Sequence, residues 1–390
     1  MIEPKTLKGF RDFLPKEARK RQYVIETLKK VFESYGFEPL ETPALELEEI
    51  LMGKYGEEGD KLMYRFKDNG DRNVAMRYDQ TVPLSRVIAQ YTNDLPMPFK
   101  RYQIQNVWRA ENTQKGRYRE FLQCDIDIAG TNSYLSDNEV LYTVISCLTT
   151  LGFQNFKVLV NDRHVFEGMD NRAIIIIDKL KKIGEEGVKS ELRNAGLDEG
   201  LLEKVRNSKP TENLEKILGS QKNYVFFEPT LARGLDYYTG LIVEVEIEGF
   251  DAGSVGGGGR YDGLIGMFSG QDIPAVGFAF GFDRLLEAME ANNLFPKDLT
   301  TSRFLVINQN ENQETVSNIV NVLRAKGVNA ELYLDFNSKI DKQFKFAEKK
   351  NIKFIAIPLE NNQVEIRTKS QAGEIVKKTV SLEDLPNEFR

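Results

Sequence analysis

Residues 254–264 read SVGGGGRYDGL, with four successive glycines, Gly256–Gly259, in a β-rich context. A strand made of them carries no side chains, so the backbone can approach a flat ligand closely. A flexible glycine loop is the other reading. The spacing is not the G-x-G-x-x-G of a dinucleotide fold, and no G-x-x-x-x-G-K-[ST] occurs anywhere in the chain, so neither phosphate loop is available.

The chain has 390 residues, more than one ordinary core holds, and two or three domains are expected. No apolar run approaches the roughly 20 residues that span a bilayer, and the first residues hold no secretory-type apolar segment. With only two cysteines, Cys124 and Cys147, a reducing cytoplasmic setting fits and no membrane association is expected. One histidine, His164, and two cysteines make a Cys/His metal site unexpected and leave no nucleophile–His pair in sequence. The net charge of −6 argues against indiscriminate nucleic-acid binding, but not against one local basic surface.

A helix is predicted from Pro15 to the glycine at 36. FEPLETPALE follows as a strand whose prolines point to an edge. From about 60 to 130, the runs MYRFKD, VAMRYD, FKRYQIQNVWRA and REFLQCDIDIAG predict an antiparallel sheet. Residues 136–152 predict a helix with Ser136 as N-cap and Glu139 completing a capping box. Residues about 170–222 are charge-rich and helix-patterned, an insertion between sheet segments. Residues 292–302 read as a linker. Beyond it, 303–390 alternates strands and helices, predicting a separate α/β domain with a largely parallel sheet. The first, larger domain is thus expected over 1–295.

Five stretches carry chemistry. VWRAENTQKGRYREFLQ (107–123) gathers Arg109, Lys115, Arg117 and Arg119 around a strand–loop–strand turn. Arg109 and Glu111, then Arg119, Phe121 and Gln123, keep a period of two, and a sheet face of Arg, Glu and Gln is not a core face. Guanidinium forks fixed on a rigid sheet suit phosphate. In RYDQT, Asp79 and Thr81 suit an ammonium, though a helix-start turn has the same residues. In LARGLDYYTG, Arg233 stands beside Tyr237 and Tyr238, and core packing would serve the tyrosines equally well. The glycine run is the fourth. In PAVGFAFGFDRLLEAME, Arg284 falls in the first turn of a helix, where the dipole disfavours it and a partner is needed.

Together these stretches resemble the class II aminoacyl-tRNA synthetases, and within them the histidyl-tRNA synthetase family, over nearly the whole chain. FEPLETPALE, VWRAENTQKGRYREFLQ and VGFAFGFDRLLEAM are similar to the three class-defining motifs. LARGLDYYTG and GGGGRYDGL resemble the two histidine-specific ones, and 303–390 resembles the family's anticodon-binding domain. The resemblance implies an α+β catalytic domain built on an antiparallel sheet with a helical insertion, a homodimer, and L-histidine, ATP with Mg²⁺, and tRNA(His) as partners. It implies that Asp79, Thr81 and Gln123 hold the histidine ammonium. Asp127 and Tyr238 would bond the imidazole, with Tyr237 and Gln80 lining the pocket. Arg109 and Arg233 would flank the α-phosphate. Phe121 and Arg284 would sandwich adenine, with Glu111 near its amino group and Arg117 on the phosphates. Gln114, Lys115 and Arg119 would reach the tRNA acceptor end. A regulatory paralogue, a synthetase for another amino acid and a pure nucleotide-binding module are the rival readings.

Overall fold

The computed structural model describes all residues except 1, 114–115, 221–222, 233–236, 298, 309–312, 336, 371–373 and 389–390, and except the side chains of 56–58, 220, 386 and 388. The chain divides into two compact units, residues 1–14 with 20–295 and residues 15–19 with 296–390.

The larger unit is built on an eight-stranded sheet. In chain order its strands are β1 (Glu38–Pro39), β2 (Phe99–Trp108), β3 (Glu120–Ala129), β4 (Phe156–Asp162), β5 (Val225–Phe227), β6 (Leu241–Ile247), β7 (Gly256–Arg260) and β8 (Ala275–Gly281). Their spatial order is β1-β2-β3-β8-β7-β6-β4-β5. The six central strands pair antiparallel, and the two short edge strands pair parallel to their neighbours. The proline-bearing β1 is an edge strand, where a residue without an N–H breaks no ladder.

Strict alternation gives the sheet two unlike faces. On one face, Tyr102, Cys124, Ile126, Ile128, Val276, Phe278, Phe280, Val243 and Val245 join one core with Leu28 and Phe32 of helix Pro15–Ser34 and Val140, Leu141, Val144 and Leu148 of helix Tyr134–Thr150. Phe278 and Phe280 meet edge-to-face at 4.9 Å, an arrangement worth about 0.5–1.5 kcal/mol beyond the area buried. The other face carries Arg101, Gln103, Gln123, Asp125, Asp127, Gly257, Gly259 and Gly277, and holds the candidate site.

Several local expectations are corrected. The runs near 65 and 75 do not join the main sheet: Leu45–Leu47, Arg65–Lys67 and Asn73–Met76 make a small separate one. Helix Tyr134–Thr150 starts earlier than the capping-box pattern suggests. Its cap is Ser133, whose hydroxyl accepts from the Leu135 N–H, and Glu139 instead pairs with Lys100. The helical insertion is present as Asn171–Asp178, Leu180–Asn194, Gly200–Arg206 and Glu212–Ser220; Ile174, Ile177, Val188, Leu192, Leu202 and Val205 form a core of their own.

In the smaller unit a five-stranded sheet runs Ala330–Leu332, Phe304–Val306, Phe354–Pro358, Gln363–Lys369, Ile375–Ser381. The first three strands pair parallel, but the last two are added by antiparallel pairings, so the sheet is mixed rather than largely parallel. The reversal follows a short turn in which Asn361 and Asn362 take positive φ, a conformation asparagine tolerates.

Candidate active site

On β3, Gln123, Asp125 and Asp127 project to one side, and the helix after β8 begins opposite Gln123. With the turn at 78–81 and Tyr237–Tyr238, these elements enclose a cavity of about 600 Å³. Its lining includes Asp79, Thr81, Arg109, Glu111, Arg117, Phe121, Gln123, Asp127, Tyr237, Tyr238 and Arg284, so the fold gathers eleven sequence-derived candidates spread over some 200 residues. Arg233, Gln114 and Lys115 lie outside the described residues.

Two candidates are placed elsewhere. Gln80 does not line the cavity. It is fully buried, and its amide donates to the backbone oxygens of Gln105 and Gln123, tying β2 to β3. Arg119 precedes β3 rather than lying in it; its Nε donates to the Glu111 carbonyl, bracing the loop, and it is not part of the lining.

The cavity has two chemically distinct ends, six residues apart on β3, roughly 20 Å at strand spacing. At one end stand acids and phenols. Tyr55 donates to Asp79 Oδ1 at 2.8 Å, Tyr261 donates to Asp127 Oδ1, and Arg101 pairs with Asp127 Oδ2 at 2.7 Å. Arg101 is 0% exposed, and a polar ladder through Gln103 and Gln105 reaches Arg77 and Thr42 behind it. Burial raises the Asp79 and Asp127 carboxyls above their ordinary range; Arg101 opposes this at Asp127 more strongly than the Tyr261 hydroxyl does.

At the other end are guanidinium groups and a ring. Arg109 donates from Nε to the Tyr78 carbonyl at 3.1 Å and stacks on the rings of Tyr78 and Phe121. Arg284 donates to the Ser254 carbonyl at 3.0 Å. Burial lowers its pKa, and the like charge of Arg117 adds to that. The helix dipole that Arg284 offends is met by its neighbour Asp283, which accepts from Arg11 and Arg21 at 2.8 Å each.

The glycines work differently from the expectation drawn for the run. A Cβ on Gly256 would fall 2.6 Å from the Phe278 ring, on the core side, so part of the run serves packing. The glycine the acid end needs is Gly277: a Cβ there would lie 1.9 Å from Asp127 Oδ1.

Sequence reading missed Arg101, Asp125, Tyr55, Tyr261 and Gly277. The period that exposes Gln123 and Asp127 also exposes Asp125. Nothing local flags Arg101, whose partner lies 26 residues on. His164 stands apart from the cavity, 62% exposed, its ring nitrogen on Asp162 Oδ1 at 2.7 Å. Among the described residues no three His, Cys, Asp or Glu side chains are grouped to hold a metal ion, and no helix is long and apolar enough to cross a membrane.

An antiparallel sheet of this order, with an arginine-lined cavity on its polar face and a mixed α/β unit following in the chain, defines a class II aminoacyl-tRNA synthetase. The family model described as histidyl-tRNA synthetase matches residues 9–182 and 168–285, and one described as anticodon binding domain matches 303–390. A histidine–tRNA ligase of Cytophaga hutchinsonii is 38% identical, over 91% of this chain and 92% of its own. One of Aeropyrum pernix is 44% identical, over 76% and 77%. The crystal structure of histidyl-tRNA synthetase from Nostoc sp. PCC 7120 aligns over 100% of this chain and 99% of its own, with a TM-score of 0.85 and 29% identity. The chain belongs to the histidyl-tRNA synthetase family.

Proposed function

We propose that this chain is a histidine–tRNA ligase. It joins L-histidine to ATP, giving histidyl-adenylate and pyrophosphate, and then transfers the histidyl group to the 3′-terminal ribose of tRNA(His). The observation that carries this reading is one cavity with an acid-and-phenol end and a guanidinium-and-ring end on the same strand, in a chain of this family.

In this reading Asp79, Thr81 and Gln123 take the α-ammonium, and Asp127 and Tyr238 the imidazole, with Tyr237 beside them. Phe121 and Arg284 lie at the same end of the sheet and hold adenine between them; Glu111 meets its amino group. Arg109 and Arg233 flank the α-phosphate, and Arg117 the outer phosphates. Ligand anions would relieve the crowding of Arg117 on Arg284. Gln114, Lys115 and Arg119 remain candidates for the tRNA acceptor end. Glu244, in the cavity lining, is a carboxylate suited to a Mg²⁺ arriving on ATP, which would neutralise phosphate charge.

The chemistry then needs no protein nucleophile. A histidine carboxylate oxygen attacks the α-phosphorus, and the bond to the pyrophosphate oxygen breaks. The chain's part is to hold two anions together in line and to neutralise charge as it moves onto the leaving oxygen. In the second step a ribose hydroxyl attacks the acyl carbon and AMP departs. Selectivity comes from the acid end: an amino acid without ring nitrogens forgoes the hydrogen bonds that Asp127 and Tyr238 would make to the imidazole, at about 1–3 kcal/mol for each. Two free cysteines, both buried, suit a reducing cytoplasm. The motif 1 resemblance supports a homodimer, with exposed Leu45, Leu47 and Phe66 offering apolar surface; the mass in sedimentation equilibrium reads it.

Pyrophosphate exchange measured with each of the twenty amino acids tests the function. Exchange is expected with histidine alone, and Asp127→Ala should lose histidine discrimination far more than ATP binding. Exchange driven by another amino acid, or by none, would overturn the reading.

A further inference from the structure

Asp125 lies on β3 midway between Gln123 and Asp127, on their face of the sheet, opposite Gln103 on one side and Ala279 on the other. It is 2% exposed and lines the cavity, and neither carboxylate oxygen has a hydrogen-bond partner among the described residues. Its acidic neighbours are better provided for. Asp79 Oδ1 accepts from the Tyr55 hydroxyl and the Val82 N–H, and Asp127 has Tyr261 and Arg101. A buried carboxyl left without a partner is costly, and such groups in native proteins call for a specific explanation.

We propose that Asp125 is a further substrate-binding residue whose carboxylate meets the α-ammonium of the incoming amino acid. The proposal rests on the reading of this cavity as a histidine site. Three considerations select the ammonium. First, it is the one full positive charge on histidine at neutral pH, the free imidazole having a pKa near 6.5, whereas the nucleotide is an anion. Second, the position fits. Asp125 is two residues, about 7 Å of strand, from both Gln123 and Asp127. A substrate with its ring toward Asp127 therefore brings its Cα over Asp125. Third, the carboxyl is charge-starved: burial raises it well above the usual carboxylate range, Arg101 and Arg109 pull it down, and Asp127 and Asp79 push it up. A cation placed there relieves the like-charge crowding. With the ammonium held at Asp125 and Asp79, the substrate carboxylate is turned toward Arg109, where the phosphate is to be attacked.

The test compares the full-length chain with Asp125→Asn, which keeps the shape and removes the charge. The probes are histidine, L-histidinol (ammonium and imidazole, no carboxylate) and imidazolepropionate (imidazole and carboxylate, no ammonium). The variant should raise the histidine KM and the histidinol inhibition constant about tenfold or more, as expected for a lost charge-assisted bond. Its KM for ATP and its inhibition by imidazolepropionate should stay at wild-type values, and its melting temperature without substrate should not fall. Unchanged histidinol inhibition, or equal weakening of both analogues, would overturn the proposal. So would a lowered melting point with every constant shifted together, the mark of a structural role. Absence of histidine-dependent exchange in the wild type would sink the ligase reading itself; normal wild-type exchange with an unaltered variant sinks only the role of Asp125.

Discussion

Replacing Arg109 with alanine is expected to cut histidine-dependent pyrophosphate exchange by about 10²- to 10³-fold, the usual loss when one preorganised charge donor is removed from a reacting centre. Arg109 follows β2 directly. Its Nε is spent on the Tyr78 carbonyl and its plane lies against two rings, at 4.3 Å from Tyr78 and 5.2 Å from Phe121. Those contacts fix the guanidinium without using its terminal amino groups, which bond to no described residue. A fixed fork facing a cavity is what a phosphate needs in the transition state, because no reorganisation remains to be done when charge moves. Arg109→Lys keeps the charge but cannot span two oxygens, so it should recover only part of the rate. Arg233→Ala is expected to lose about 10²-fold or more on the same principle. Cation–π contacts at a partly exposed site are worth about 0.5–1 kcal/mol each, so the melting temperature of Arg109→Ala should fall only slightly. Near-wild-type exchange in a folded Arg109→Ala protein would remove the residue from the mechanism.

The largest expected effect on stability belongs to Arg101→Leu, at about 3–5 kcal/mol, because it strips the counter-charge from a buried acid. Arg101 is fully buried, reaching Asp127 at 2.7 Å and Gln103 Oε1 at 3.1 Å. Burial already raises the Asp127 carboxyl, and Arg101 is the chief opposing influence. Without it, Asp127 will take up a proton rather than stay charged, buried and without a counter-ion. The sign follows. A carboxyl whose folded pKa lies above its unfolded value near 3.9 favours folding below that pH, and loses that advantage as pH rises through the folded value. The deficit of Arg101→Leu against wild type should therefore grow between about pH 4 and neutrality in urea unfolding. The double variant Arg101→Leu/Asp127→Leu removes both charges and should regain much of the stability, while histidine activation stays lost. If Arg101→Leu unfolded like wild type at neutral pH, the ion pair would have no structural weight.

These two arginines show how unevenly the site could be read in advance. Arg109 stands in a cluster of cations in an acidic chain, an anomaly any reader can see. Arg101 sits in FKRYQIQNVW, where polar residues alternate with apolar ones as they would on any solvated sheet face. The polar face of β2 is not solvated: Arg101 and Gln103 are fully buried. Gln80 erred in the other direction. Flanked by the cavity residues Asp79 and Thr81, it looked like a third, but the start of helix Thr81–Gln90 turns its amide onto the backbones of β2 and β3. Ser136 and Ser133 are equally good caps by composition. Three residues of extra helix settled between them, and Ser136 instead accepts from Arg260 of β7.

Local chemistry alone determined the strands from their period of two, the helices from their caps and apolar stripes, the division near residue 300, and the motifs that place the chain in its family. Those are properties of neighbours along the chain, and near-neighbour sterics and hydrogen bonding suffice to specify them. Tertiary structure alone decided which polar face lies open and which is sealed. That choice sets Arg101 across from Asp127 and leaves Asp125 bare in the cavity. A charge buried by the fold takes its energy from strands far off in sequence, and the dielectric around it exists only once they have paired.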